Sequence, residues 1–166
     1  MTAMAYDLDR IDVQILRLLQ ENARISNAAI AREVGMAPSA VLERIRKLER
    51  RQVILGYTAQ LNPAALGRGL TAFTNVRTEE AVGATEAGEE LARLPGVQEV
   101  HHTAGQDCYL VKLRVADTTA LAQLLKQFGA VPTVRDTRTT IVLTTVCESN
   151  PLPLPDLEAG EGGRQA

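Results

Sequence analysis

A chain of 166 residues, 45% hydrophobic and 23% charged, has room for one ordinary domain or two small ones and enough apolar side chains to fold. Aromatics are only 3%, so its cores are aliphatic, and a formal net charge of -2 excludes a globally basic nucleic-acid binder. Any DNA contact is therefore local. No apolar run approaches the ~20 residues of a membrane span. No secretory signal is read at the start, so Cys108 and Cys147 are expected as two buried thiols in a reducing cytoplasm. There is no CxxC or HExxH, and His101-His102 is an adjacent pair without further spaced ligands, so no metal site and no cofactor are expected.

The first element is a helix capped by Asp7 or Asp9 and running to about Asn22, with Leu8, Ile11, Ile15 and Leu18 at helical spacing. Asn27 to Arg51 then reads as two helices joined by a tight turn. The first is short and Ala-rich, with Ile30 and Val34 on one side. Gly35 supplies the positive φ of a C-terminal cap, and Pro38 suits a first helical position. Laid out at ~100° per residue, Val41, Ile45 and Leu48 form one stripe of the second helix. Ser39, Glu43, Arg46 and Arg50 fall nearly opposite, with Lys47 bordering them and Arg44 and Arg51 flanking the apolar stripe. Small polar groups first and cations later is the layout of a helix that reads base edges and then meets phosphates. Two features depart from it: Ala37 stands where a Ser or Thr cap would contribute ~1 kcal/mol, and Gln52 stands where a Gly would cap the end.

Val53 to Leu61 predicts a strand, closed by Asn62-Pro63 and a boundary loop to Gly69. Then come a strand over Leu70 to Arg77, a helix marked by Ala84, Ala87, Leu91 and Leu94, and a strand over Val97 to Thr103. A turn at 104–107 leads to a strand from Cys108 to Val115, in which Tyr109, Val111, Leu113 and Val115 alternate with Leu110, Lys112 and Arg114. Asp117 or Thr118 caps a helix with Leu121, Leu124, Leu125 and Phe128, and a long strand runs from Val134 to Val146. Residues 149–166, rich in Pro, Gly and acids, predict a disordered tail. The expected division is thus a three-helix head over 1–52, a strand and linker over 53–69, and a domain over 70–148. In the last, β-α-β-β-α-β order predicts a four-stranded antiparallel sheet with both helices on one face, the ferredoxin-like arrangement. The fold class is α+β. The other face is expected to be uncovered and apolar, which points to a second copy of the chain and hence a homodimer.

With these residues in place, the sequence resembles the Lrp/AsnC, or feast/famine, family of transcription regulators. The resemblance is carried by Leu8-Asp9 with Asp12, Asn22-Ala23-Arg24-Ile25-Ser26, Gly35-Met36-Ala37-Pro38, Leu42-Glu43-Arg44-Ile45, Ile54-Leu55-Gly56-Tyr57, Gly105 through Leu110, and Asp136-Thr137-Arg138-Thr139. It implies a winged helix-turn-helix head that binds double-stranded DNA, a C-terminal RAM domain that binds a small effector such as an amino acid, and dimers that assemble further, often to octamers. Base contacts would fall to Ser39, Ala40 and Glu43, and phosphate contacts to Arg46, Lys47 and Arg50. The effector would be held by Gly105, Gln106, Asp107, Tyr109, Thr137 and Thr139. The turn would offer backbone N–H groups to a carboxylate, Asp107 an anion to an ammonium, and the threonine hydroxyls donors or acceptors. Cys108 stands where the family commonly has an acid. The expected protein is no enzyme. Two other readings stay open: a haem-pathway decarboxylase on the same scaffold, with His101-His102 toward a tetrapyrrole, and an architectural DNA organiser blind to effectors.

Overall fold

The computed structural model describes residues 7–157. They divide into two compact units: one holds the chain up to Ala59 together with the segment from Ser149 on, the other holds Gln60–Glu148.

The first unit is a head of three helices, α1 (Arg10–Glu21), α2 (Asn27–Val34) and α3 (Pro38–Arg50). Asp9 caps α1 through its side chain, which accepts from the Asp12 N–H at 2.8 Å, and Ser26 caps α2 through the Ala29 N–H. Gly35 ends α2 at φ 69°, the left-handed conformation that a residue without Cβ adopts freely. The end of α3 uses the same geometry without glycine. Gln52 takes φ 57°, its N–H bonds to Glu49 O and the Val53 N–H bonds back to Leu48 O, both at 2.9 Å. Val53 packs on the cluster that contains Leu48, and that apolar contact completes the cap. Ile15, Ile30, Val41 and Leu48 meet in the centre, each essentially inaccessible.

The strand expected over Val53 to Leu61 does not form, and with it goes the wing. Val53 and Ile54 instead donate their N–H groups to Leu48 O and pack on the head's core, while the residues that follow have no neighbouring strand and Leu55 and Leu61 stay exposed. A strand needs a partner, and β-branched composition cannot supply one.

The second unit has β1 (Leu70–Thr78), α4 (Glu86–Ala92), β2 (Val97–His102), β3 (Tyr109–Val115), α5 (Thr118–Ala130) and β4 (Val134–Ile141). The strands pair antiparallel in the order β2-β3-β1-β4, as the ferredoxin-like arrangement requires. Ala72, Val76, Val111, Leu113 and Val115 from the sheet meet Leu91, Leu121, Leu124 and Phe128 from the helices in one aliphatic core. The expected alternation along β3 is present. Asp117 caps α5 through the Ala120 N–H. Helix α4 is shorter than its apolar spacing suggested, and Ala84 and Leu94 lie outside it.

Four further expectations need correction. First, β4 stops at Ile141, not Val146. Ile141 pairs with Ala72 and Val142 donates to Thr71 O, so the ladder runs out where β1 begins. Second, the sheet face away from the helices is not an apolar plane. The register puts Phe73 and Leu110 there among Asn75, Glu99, Lys112 and Arg114, while Thr137, Thr139 and Ile141 align with Val76, Thr74 and Ala72 on the helix side. Glu148 bonds to Lys112 and to Arg114 on that face. Leu143 and Val146, beyond the strand, are exposed. Third, neither thiol is buried: Cys108 is half-exposed, with its Sγ 3.6 Å from Thr78 O, and Cys147 is exposed. Fourth, the segment from Ser149 to Leu157 does not hang free. Its Leu154 packs against the head's core, and Gln20 Nε2 donates to Leu152 O at 3.2 Å. The rest of the expected tail lies outside the described residues.

Candidate nucleic-acid interface and effector site

The outer face of α3 is set by what holds its inner face. Val41, Ile45 and Leu48 are buried, so Ser39, Glu43, Arg46, Lys47 and Arg50 are exposed in one row, with Ala40 half-buried at its edge. The row follows directly from the 3.6-residue period. Arg46 Nη1 lies 2.9 Å from Glu43 Oε1, an exposed pair one turn apart. Among the described residues, no ion pair engages Lys47, Arg50 or Arg51.

Arg44 belongs to the interior instead. Its Nη1 reaches Asp9 Oδ2 at 2.6 Å and Asp12 Oδ1 at 2.7 Å, tying α3 to the first turn of α1. Asp12 is 5% exposed, so this guanidinium neutralises a buried carboxylate. Burial alone would raise the Asp9 carboxyl, but the Asp12 N–H and Arg44 outweigh it and hold it below the usual range. One cation of the basic run is thus consumed by folding, as its place beside the apolar stripe suggested. Tyr57 donates to Glu49 Oε1 at 3.1 Å, beyond the end of the row.

In the second unit, the residues expected to hold an effector do not all converge. Gly105 and Cys108 line a hollow of about 300 Å³ with Thr78, Glu80, Val82 and His102. Tyr109 lies beneath it, 1% exposed and part of the core, and donates to Glu80 Oε2 at 3.0 Å. Gln106 is exposed at the tip of the turn. Asp107 is bonded to Arg138, and its carbonyl accepts from Thr103 Oγ1 at 2.6 Å. Thr139 shares a hydroxyl–hydroxyl bond of 2.9 Å with Thr74, and Thr137 pairs with Val76. Neither threonine lines the hollow.

Glu80 is the group that sequence reading missed. It accepts from the Thr78 hydroxyl, the Tyr109 hydroxyl and the Ala87 N–H. Burial pushes its carboxyl up, yet these three donors bring it below the ordinary value. Burial first, and then the Glu80 charge, push the Tyr109 hydroxyl up to about 12. The only signal for Glu80 was an acid a few residues before a helix, too common to single out. His101 and His102 diverge: His101 pairs with Leu110 and bonds to Glu99, whereas His102 pairs with Tyr109 and stacks on its ring at 5.1 Å. The two rings therefore present no joint site. Among the described residues, no group of three His, Cys, Asp or Glu side chains is placed to hold a metal ion, and no helix is long and apolar enough to cross a membrane.

A helix-turn-helix head with an exposed cationic row, joined to a ferredoxin-like domain with a hollow beside a glycine turn, defines a DNA-binding regulator with a ligand-binding domain. Residues 8–49 match the AsnC-type helix-turn-helix domain and residues 71–152 the Lrp/AsnC ligand-binding domain. The leucine-responsive regulatory protein of Escherichia coli K12 is 42% identical over 151 residues, 88% of this chain and 91% of that one. A Neisseria meningitidis transcriptional regulator solved with L-methionine superposes with a TM-score of 0.81 at 30% identity, covering 88% of this chain and 96% of its own. A feast or famine regulatory protein of Mycobacterium tuberculosis, also solved with L-methionine, gives 0.81 at 34% identity, covering 87% and 98%. This chain belongs to the Lrp/AsnC family of transcription regulators.

Proposed function

We propose that the chain is an effector-responsive regulator, not an enzyme, that acts in the cytoplasm on double-stranded DNA as a homodimer or a larger assembly of dimers. The observation that carries the DNA-binding part is the exposed row of α3, held outward by the buried Val41, Ile45 and Leu48 and by the Arg44 clamp. In this reading Ser39, Ala40 and Glu43 approach base edges, and Arg46, Lys47 and Arg50 meet phosphates. Two heads related by a two-fold axis would read half-sites about one helical turn, or a multiple, apart. The exposed Leu143 and Val146 support self-association.

For the effector we propose an amino acid, as in the two regulators solved with L-methionine. Its seat is the turn Gly105-Gln106-Asp107 and the hollow beside it, over Tyr109. Thr137 and Thr139 come into play only from another part of an assembly, since within one chain they face the helix side of the sheet. The division of labour is a head over 1–52 for DNA and the domain over 70–148 for effector and assembly.

One titration tests both parts. The chain is titrated against DNA from upstream of its own gene over a range of salt, alone and with each of the twenty amino acids. Binding is expected to weaken with salt, and at least one amino acid shifts the midpoint. Arg50→Ala lowers the log–log salt slope by about one. Affinity indifferent to every amino acid favours an architectural role, and a slope unchanged in the variant removes Arg50 from the phosphate row.

A further inference from the structure

The C-terminal segment occupies a groove on the head. Leu154 is the anchor. It packs against the cluster of Ile15, Leu16, Ile30, Val41, Ile45 and Leu48. It also sits where two hollows meet: one of about 450 Å³ lined by Leu16, Leu19, Ile54 and Tyr57, the other of about 410 Å³ lined by Arg10, Val13, Gln14 and Arg17. Leu152 and Pro153 line the first, and Pro155, Asp156 and Leu157 the second. Val13 is 5% exposed and lines the second hollow together with these tail residues. Asp156 lies among Arg10 and Arg17. The Leu152 carbonyl accepts from Gln20.

We propose that this face of α1, continued by residues 53–58, is a binding groove for an extended Leu-Pro peptide, and that its occupant is the chain's own Leu152–Leu157. Prolines at 151, 153 and 155 suit the role. They fix φ and hold the segment extended, so ordering it costs less entropy than ordering a free strand. Leu154 alone turns into the core while Leu152 stays exposed, and the backbone N–H groups that proline lacks are ones no ladder uses. The occupant is built to come off. Hollows remain on both sides of Leu154, and Leu152 is 77% exposed. Only residues 149–151 separate this peptide from Glu148, which bonds to Lys112 and Arg114 on the sheet. The segment is thus a strap that finishes the head's core, and its release loosens α1 and α3.

Hydrogen exchange on the full-length chain tests this, with no DNA in the readout, so the result is independent of the DNA-binding role. Leu154→Ser is expected to speed exchange of the α1 and α3 amides about tenfold and leave the β3 amides unchanged, while Leu154→Met keeps the wild-type pattern. Removing everything after Glu148 gives the same selective loss, and a synthetic peptide of residues 149–157 added in trans restores protection. Unchanged exchange in α1 with Leu154→Ser, or an equal loss in β3, overturns the proposal. A shortened chain that protein and peptide together fail to protect also overturns it.

Discussion

Among the described residues, the head buries seven apolar side chains between its helices, whereas the sheet unit buries twelve between its helices and sheet. At ~1.5–3 kcal/mol for each large side chain, the smaller set leaves little surplus over the entropy of ordering three helices. The head meets this shortfall with polar and peripheral devices: the Arg44 clamp, two side-chain caps, a glutamine forced into a left-handed cap, and Leu154 brought in from the chain's far end. The sheet unit relies on its ladder and on a close-packed core that includes the buried rings of Tyr109 and Phe128. The unit that must present a reading surface is therefore held by a few replaceable contacts, and the one proposed to sense a ligand by a dense interior.

This contrast is most easily broken at Asp12. Asp12→Ala leaves Arg44 with only the half-exposed Asp9, so the head should lose on the order of 2–3 kcal/mol. That is below the 3–5 of a fully buried pair because Arg44 keeps one partner and some water. Chemical denaturation followed by exchange in α2 and α3 reads the loss. If both units weaken equally, the clamp is not a device of the head alone.

The second break is at Gly88 in α4. A Cβ built there falls 2.5 Å from Tyr109 Cε1 and 3.1 Å from Cζ, and that ring is buried on all sides. Gly88→Ala gains up to ~1 kcal/mol of helix propensity but overpacks a rigid neighbour at a cost of ~1–3 kcal/mol. The expected result is a net loss of about 1 kcal/mol confined to the sheet unit, measured as a lower denaturation midpoint with the head unaffected. A stabilised variant would show that the Tyr109 pocket yields easily, contrary to the dense interior argued above.

The same contrast explains what could be read from the sequence. Helices α2 and α3 were legible because their determinants are local: Gly35 after Val34, Pro38 at the start, Val41, Ile45 and Leu48 at fixed spacing. The ferredoxin-like order was legible because alternation along β3 and the periodic leucines of α5 repeat over many residues. The failures are non-local. Val53–Leu61 has strand composition but no partner, and the strand-like composition of 134–146 outlasts the strand it pairs with. Residues 149–157 read as part of a solvated tail because Pro, Gly and acids fill 149–166 as a whole, yet Leu154 among them finds an apolar notch about a hundred residues or more away in sequence. At the effector site, the glycine turn was visible. The direction in which Tyr109, Thr137 and Thr139 point depends on register, which a one-residue shift would reverse.

Tyr109 also distinguishes the two units by pH. Its folded-state pKa lies at about 12 against an ordinary 10, because burial and then the Glu80 charge disfavour the phenolate. A raised pKa means that the protonated form is favoured by folding. Its contribution is complete below about pH 10 and disappears as pH climbs toward 12. Glu80 works in the opposite sense: its lowered pKa stabilises above the ordinary carboxylate range and is lost on acidification below about 4.5. Tyr109→Phe removes the hydroxyl from Glu80 and should cost the sheet unit about 1 kcal/mol at neutral pH. It should also erase the alkaline loss, flattening stability between pH 10 and 12, while Tyr57 in the head continues to titrate. A wild-type chain whose sheet unit is no weaker at pH 11.5 than at pH 9 would mean that the phenolate is accommodated where it stands, and that the interior beside the hollow is wetter and looser than its burial indicates.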